Sequence, residues 1–407
     1  MILRKSTLRG GLLLLLASLL ILSGCTGSGS SSSSNSSGGE PSPSGSPSAG
    51  SSPSSSPSAA PSVPPASTAP ASSEAPAVSM AQATALRLAD EKIGWAGGDG
   101  WIARTDDGGK SWRAQYSKPY PVVQLFALND KKVWATLDIG SSKGLQLIRS
   151  TDGGDSWSEV GVVPNRGFLH FLNDNDAFIG NARSKDGGAT WIQLKTPENL
   201  VGDAYFHDLN NGWAVQTSSG KFAFLHSADG GKTWETVMSR ATEVEPTNAI
   251  IRSTGKNDAW IELVGDSGMS QTSYSLFHTE DGGKTWLPAV AKNTAGAGPA
   301  PGFSVDDKAN SEGTGSRPGQ LYVVNPSTAF MGGDCPACDA PKTIMTTTDG
   351  GRSWTPSKQE FPGYGEGLIG ATDAKHVWLL ANDSEKSAVL YTSGDGGASW
   401  SKVHSFE

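Results

Sequence analysis

Few side chains in this 407-residue chain are spaced as chemistry usually requires. Two of its three cysteines form the run Cys335-Pro336-Ala337-Cys338. Such a pair can close a disulfide, exchange electrons or supply half of a zinc site. Zinc needs two further ligands, and the six histidines are scattered with no paired spacing. Redox work needs a thiol of low pKa, commonly at a helix N-terminus, and no helical periodicity surrounds this pair. The pair therefore reads as a disulfide that stiffens a hairpin in an oxidising compartment. Seven aspartates, Asp107, Asp152, Asp186, Asp229, Asp281, Asp349 and Asp395, each precede two glycines. Asp-Gly-Gly can begin a calcium loop, but no further acidic ligands follow at fixed spacing. No metal and no cofactor is expected. Arg104, Arg149 and Arg183, followed in the same register by His226 and His278, would make a basic arc and are the candidate partner contacts. The competing reading stacks each on the tryptophan of a neighbouring repeat, a cation–π contact of about 1 kcal/mol. No Ser/His/Asp arrangement and no phosphate loop stands out.

The elements that must position these residues are legible from the aspartates' surroundings. Each sits in an octapeptide, Ser/Thr-x-Asp-Gly-Gly-x-Ser/Thr-Trp, and the aspartates lie 45, 34, 43, 52, 68 and 46 residues apart. A period near 45 residues is that of a four-stranded propeller blade. In the segment from Asp203 to Trp234, alternating runs and Asn or Gly turns write out one such blade. Seven octapeptides predict an all-β, seven-bladed propeller over residues 80–407. Two adjacent glycines supply positive φ, letting the third strand fold tightly into the fourth. The aspartate accepts hydrogen bonds from its own turn. The closing tryptophan should bury its ring against the next sheet, worth roughly 2–3 kcal/mol. An aromatic also recurs on each second strand: Trp95, Trp134, Phe178, Trp213, Trp260, Phe330 and Trp378. Blade structure thus accounts for all but one of the 13 tryptophans, Trp101.

The N-terminal end carries targeting information. Arg4, Lys5 and Arg9 precede the apolar run from Leu12 to Leu22, too short to span a bilayer comfortably. The run ends in Leu22-Ser23-Gly24-Cys25, which resembles a bacterial lipobox. That resemblance implies that residues 1–24 are a signal peptide and that Cys25 carries a diacylglyceryl thioether at the mature N-terminus. Two or three acyl chains anchor stably where one would not. Residues 25–79 are almost entirely Ser, Pro, Gly and Ala and read as a disordered tether, on the order of 40 Å long as a coil. Removing Arg4, Lys5 and Arg9 takes the formal charge from −8 to −11, which argues against nucleic-acid binding and leaves membrane attachment to the lipid. The expectation is a monomer held at the extracytoplasmic face of a membrane.

The octapeptides resemble the Asp-box, or BNR, repeat of sialidase-like propellers. Units such as Gly94-Trp95-Ala96-Gly97 with Ile102-Ala103-Arg104-Thr105, and Gly212-Trp213-Ala214-Val215 with Asp229-Gly230-Gly231, are similar to the repeat of the photosystem II stability/assembly factor family. This likeness covers nearly all of residues 80–407. It implies a non-catalytic, lipid-anchored factor that holds a membrane-protein intermediate, with Arg104, Arg149 and Arg183 as its contact. The long tether, the connection 291–319 and the Cys335–Cys338 hairpin depart from that family. Sialidases also use an Arg-Ile-Pro motif, absent here, and xyloglucanase-type hydrolases draw one carboxylate from each of two propellers. The favoured reading is a surface lipoprotein whose propeller binds or scaffolds a protein partner. The alternative is a carbohydrate-binding or glycoside-hydrolase protein acting on wall or extracellular glycans, with Tyr116, Tyr120, Tyr274 and Tyr364 as sugar platforms. The corner formed by 291–319 and the cysteine hairpin is the expected binding surface.

Overall fold

The computed structural model describes residues 79–407, apart from 141, 143 and 340. The signal peptide, Cys25 and the tether as far as residue 78 lie outside the described residues. Twenty-six antiparallel strands assemble into six sheets. The first sheet runs β1 (Ala83–Leu88), β2 (Gly94–Thr105), β3 (Arg113–Ala127), β4 (Val133–Leu137), β5 (Leu145–Ser150) and β6 (Ser158–Val163). The second contains β7 (Leu169–Phe171), β8 (Ala177–Ile179), β9 (Ala182–Ser184) and β10 (Ile192–Gln193). The third is β11 (Tyr205–Phe206), β12 (Gly212–Ser218), β13 (Lys221–Ser227) and β14 (Glu235–Ala241). The fourth is β15 (Asn248–Arg252), β16 (Ala259–Ser267), β17 (Thr272–Thr279) and β18 (Leu287–Lys292). The fifth is β19 (Arg317–Asn325), β20 (Thr328–Asp334), β21 (Lys342–Thr347) and β22 (Thr355–Pro356). The sixth is β23 (Gly367–Ala371), β24 (Val377–Ala381), β25 (Val389–Ser393) and β26 (Ser401–Ser405).

The propeller therefore has six blades, and the expected count of seven is corrected. The first two octapeptides share one sheet because β3 is a single uninterrupted strand. Its first part pairs with β2 (Arg104↔Arg113) and its last part with β4 (Ala127↔Val133). Elsewhere a connection separates the outer strand of one repeat from the inner strand of the next. Here Ser117–Pro121 stay exposed within the strand, so Pro119 and Pro121 interrupt no buried ladder.

Each octapeptide closes by hydrogen bonds within itself. The first hydroxyl donates to the aspartate at 2.7–2.9 Å and accepts from the second glycine's amide at 2.7–3.0 Å. The Ser or Thr before the tryptophan donates its amide to one aspartate oxygen and its hydroxyl to the other. For Asp281, the Thr285 hydroxyl and then its amide hold the carboxyl at about 2. In all seven copies the first glycine's amide donates to a carbonyl of the turn before the second strand, as from Gly282 to Asn257 and from Gly350 to Ser327. Both box glycines have positive φ in every copy, a backbone state glycine adopts without a Cβ penalty.

The closing tryptophans correct a second expectation, since Trp112, Trp286 and Trp354 pack on the preceding sheet and not the next, and Trp157 packs on Tyr116 within the first sheet. Trp286 meets Trp213 of the third sheet edge-on at 5.8 Å, and Trp354 meets Trp260 of the fourth at 6.2 Å. Trp112 reaches back to Trp378 and Phe406 of the last sheet, at 6.4 and 5.2 Å, which closes the ring. Trp101, the one tryptophan outside the repeat, stacks on Phe406 at 5.9 Å and joins that closure. Backbone bonds finish it: Met80 donates to the Glu407 carbonyl at 2.8 Å and Ala388 to Ala81 at 2.7 Å. The Asn382 side chain bridges both backbone groups of Ala83.

Candidate binding site in the central cavity

The first strand of every sheet turns its side chains toward a common centre. A cavity of about 450 Å³ is lined from β1, β3, the β7 region, β11, β15, β19 and the β23 region, so all six sheets contribute. Two further cavities adjoin it, of about 220 and 590 Å³, and Arg252 lines all three.

One wall is a chain of rings capped at both ends by a guanidinium. Arg87 lies over Phe126 at 4.7 Å. Phe126 meets His170 at 5.9 Å, His170 stacks on Tyr205 at 5.5 Å, and Tyr205 contacts Phe168 at 6.2 Å. Phe168 is covered by Arg252 at 4.0 Å. Strand alternation explains the set, because residues two apart on a strand share a face. A ring lies against each of the two guanidiniums and leaves their edges, which carry the donors.

Those edges are little used. Among the described residues neither Arg87 nor Arg252 has a carboxylate within ion-pair distance, although nine other such pairs form. The Arg87 Nε is buried and without a hydrogen-bond partner. Arg252 donates from Nη1 to the carbonyl of Ile251 at 2.8 Å. Burial, and then the charges of Arg87, His207 and Arg252, push His170 down to about 4, so its ring is neutral at pH 7. Tyr205 donates to the Ser253 carbonyl at 3.2 Å, and burial raises its phenol.

The carboxylate nearest in register to Arg252 is Glu262. It pairs with Ile250 across β15 and β16, two pairs along from Arg252↔Trp260, so Glu262 and Arg252 share a face of the sheet. It is 0% exposed and neither oxygen has a partner. Burial pushes it up to about 8 against the opposing pull of Arg252. It is mainly protonated at pH 7 and leaves the Arg252 charge standing. The adjoining cavity of about 590 Å³ is internally compensated: Lys342 lies 3.8 Å from Asp334 and bonds the Gly365 carbonyl. Burial there lowers the Lys342 amine and raises the Glu366 carboxyl.

The residues singled out from sequence lie elsewhere. Arg104, Arg149 and Arg183 sit over Trp95, Trp134 and Phe178, at 5.0, 5.7 and 5.8 Å. These are aromatics of the same sheet, not of a neighbouring repeat, and Trp134 and Phe178 are cross-strand partners of their arginines. Arg104 also donates to Asp130 and Gly153 carbonyls and pairs with Asp106, while Arg183 pairs with Asp176. His278 fills the equivalent position, stacked on Trp260 at 3.8 Å and bonded to Gly350 of the next box. Cys335 and Cys338 are joined by a disulfide between β20 and β21. Among the described residues no group of three or more His, Cys, Asp or Glu converges.

The connection 291–319 is not a loose lid. Ala300 and Phe303 enter the core between the third and fourth sheets, and Arg240 covers Phe303 at 4.7 Å. Of the tyrosines proposed as sugar platforms, Tyr274 is fully buried and Tyr116 nearly so, while Tyr120 and Tyr364 are exposed. Sequence reading passed over Arg87, Phe168, His170, Tyr205, Arg252 and Glu262. The available signal was a charge set among apolar neighbours at Arg87, Arg252 and Glu262.

No protein-family model matches the chain. A xyloglucanase from Paenibacillus sp. is 23% identical over 287 residues, which cover 64% of this chain but only 24% of that enzyme. The chain thus spans about a quarter of the length of this curated relative. Solved structures that align include YCF48 bound to D1 peptide, at 17% identity over 77% of this chain and 93% of that one, TM-score 0.45. YCF48 from Cyanidioschyzon merolae aligns at 14% identity, over 78% and 94% of the two chains, TM-score 0.45. The GH74 enzyme of Niastella koreensis aligns at 14% identity, over 80% and 65%, TM-score 0.36.

Proposed function

We propose that this protein is an extracytoplasmic lipoprotein, anchored through Cys25, whose propeller is a non-catalytic module that binds or scaffolds a protein partner at the membrane. An assembly role for a membrane complex fits that reading. The observation that carries it is the make-up of the main cavity. Its wall is aromatic and guanidinium, and Glu366 is the only carboxylate lining it among the described residues. Glycoside hydrolysis ordinarily needs a pair of carboxylates across the scissile bond. A ring-lined, cationic cavity recognises without cleaving.

The xyloglucanase relative favours a second reading, action on a β-glucan, by sequence likeness over part of the chain. One experiment separates the two. Full-length tagged protein is used to capture partners from gently solubilised native membranes, beside a Tyr205→Ala variant. The same preparations are incubated with xyloglucan and assayed for released reducing ends. A partner held by the wild type and lost by the variant, without sugar release, supports the binding module. Sugar release abolished by Glu366→Gln overturns it.

A further inference from the structure

We infer that the wall between Arg87 and Arg252 is a carboxylate-binding site, taking a carboxylate borne by a polypeptide. The inference rests on the binding-module reading and names the chemistry of its ligand. Each guanidinium has a ring against it, and the N–H donors left for further recognition lie in the guanidinium plane. That plane matches the two oxygens of a carboxylate in a bidentate pair. Arg87 makes no side-chain hydrogen bond to any described residue, and its buried Nε has no partner. A buried charged donor left unmatched is costly, and a ligand anion is what would relieve it.

The surroundings favour a singly charged, partly apolar ligand over a phosphate. Leu86, Leu321 and Leu368 line the same cavity, and His170 is held neutral and adds no charge. Glu262, the acid on the same sheet face as Arg252, is buried without a partner for either oxygen and does not ion-pair with it. The rings between the two arginines offer an apolar surface for the stem of an extended chain.

The test uses the full-length protein and four probes in titration calorimetry. They are acetyl-trialanine as its free acid, the same peptide as its amide, an amidated tripeptide carrying one internal aspartate, and glucuronate. Binding of the free acid but neither amide identifies a chain terminus. Binding of the aspartyl amide identifies a side-chain carboxylate. The plain amide should not bind. Arg87→Gln and Arg252→Gln should each weaken the bound peptide about ten- to a hundredfold. Arg87 bonds to no described residue, so that variant should fold and can decide the matter if Arg252→Gln does not. Equal binding of acid and plain amide overturns the inference. So does failure of both peptide carboxylates at millimolar concentration, preferential binding of glucuronate, or an unchanged affinity in Arg87→Gln. If membrane capture succeeds while the peptides fail, the carboxylate site falls and the binding module stands.

Discussion

Replacing Glu262 by glutamine should change how stability depends on pH. Burial lifts this carboxyl from its ordinary 4.5 to about 8 in the fold. Between those values the native chain keeps a proton that the unfolded chain has released. Stability therefore falls as pH rises, by about 1.4 kcal/mol per pH unit. Below 4.5 both states are protonated, above about 8 both are ionised, and the contribution is flat at either end. The cost accumulated across the window is at most roughly 5 kcal/mol, a large share of what a domain commonly possesses. His170 acts in the opposite direction, since burial lowers it from 6.5 to about 4 and stability gained from it rises through that interval. Comparison with the variant removes this background, because His170 is present in both proteins. Urea unfolding followed by tryptophan fluorescence from pH 5 to 8 is the assay. Glu262→Gln should exceed the wild type by under about 1 kcal/mol at pH 5 and by about 4 kcal/mol at pH 8. Stabilities that run parallel over this range would mean that Glu262 is ionised in the fold and that Arg252 has its counter-charge.

Thr279→Val leaves the buried Gly283 amide without an acceptor and removes one of the donors to Asp281, and should cost about 1–3 kcal/mol in chemical unfolding. Gly109→Ala sets a Cβ 2.4 Å from Leu390 Cδ2 at φ +84, across the ring closure, and should lower the unfolding midpoint. Gly140→Ala, at φ +70 with no atom within 4 Å of the new Cβ, is the control, and its smaller loss isolates the contact at Gly109. Phe303→Ala should destabilise by about 3–5 kcal/mol if the connection 291–319 is part of the core, and by under about 0.5 kcal/mol if it is a surface loop. Thermal unfolding of the full-length protein distinguishes these values.

The repeat, its turn chemistry and the second-strand aromatics were readable from the chain because they are local. Every hydrogen bond inside an octapeptide spans four residues or fewer, so Ser227, Asp229, Gly231 and Thr233 specify their turn without help from the rest of the fold. Joining the first two repeats through β3 was not local. It depended on whether Ser117–Pro121 would turn or run straight, and prolines permit either on an exposed strand. Which sheet a closing tryptophan would meet was equally open, because box sequence sets the ring's direction but not its neighbour.

Sequence alone determined the β architecture and the seven turns that build it. Tertiary structure decided the number of sheets, the core role of 291–319 and the meeting of Arg87, Phe126, Phe168, His170, Tyr205 and Arg252. Those six side chains are separated by as many as 165 residues, and all but Phe126, on β3, belong to the first strand of a sheet or flank it. Their contact requires the order of the sheets around the ring and the register of each inner strand to be set first. A one-residue slip in any of them would turn its side chain away from the cavity.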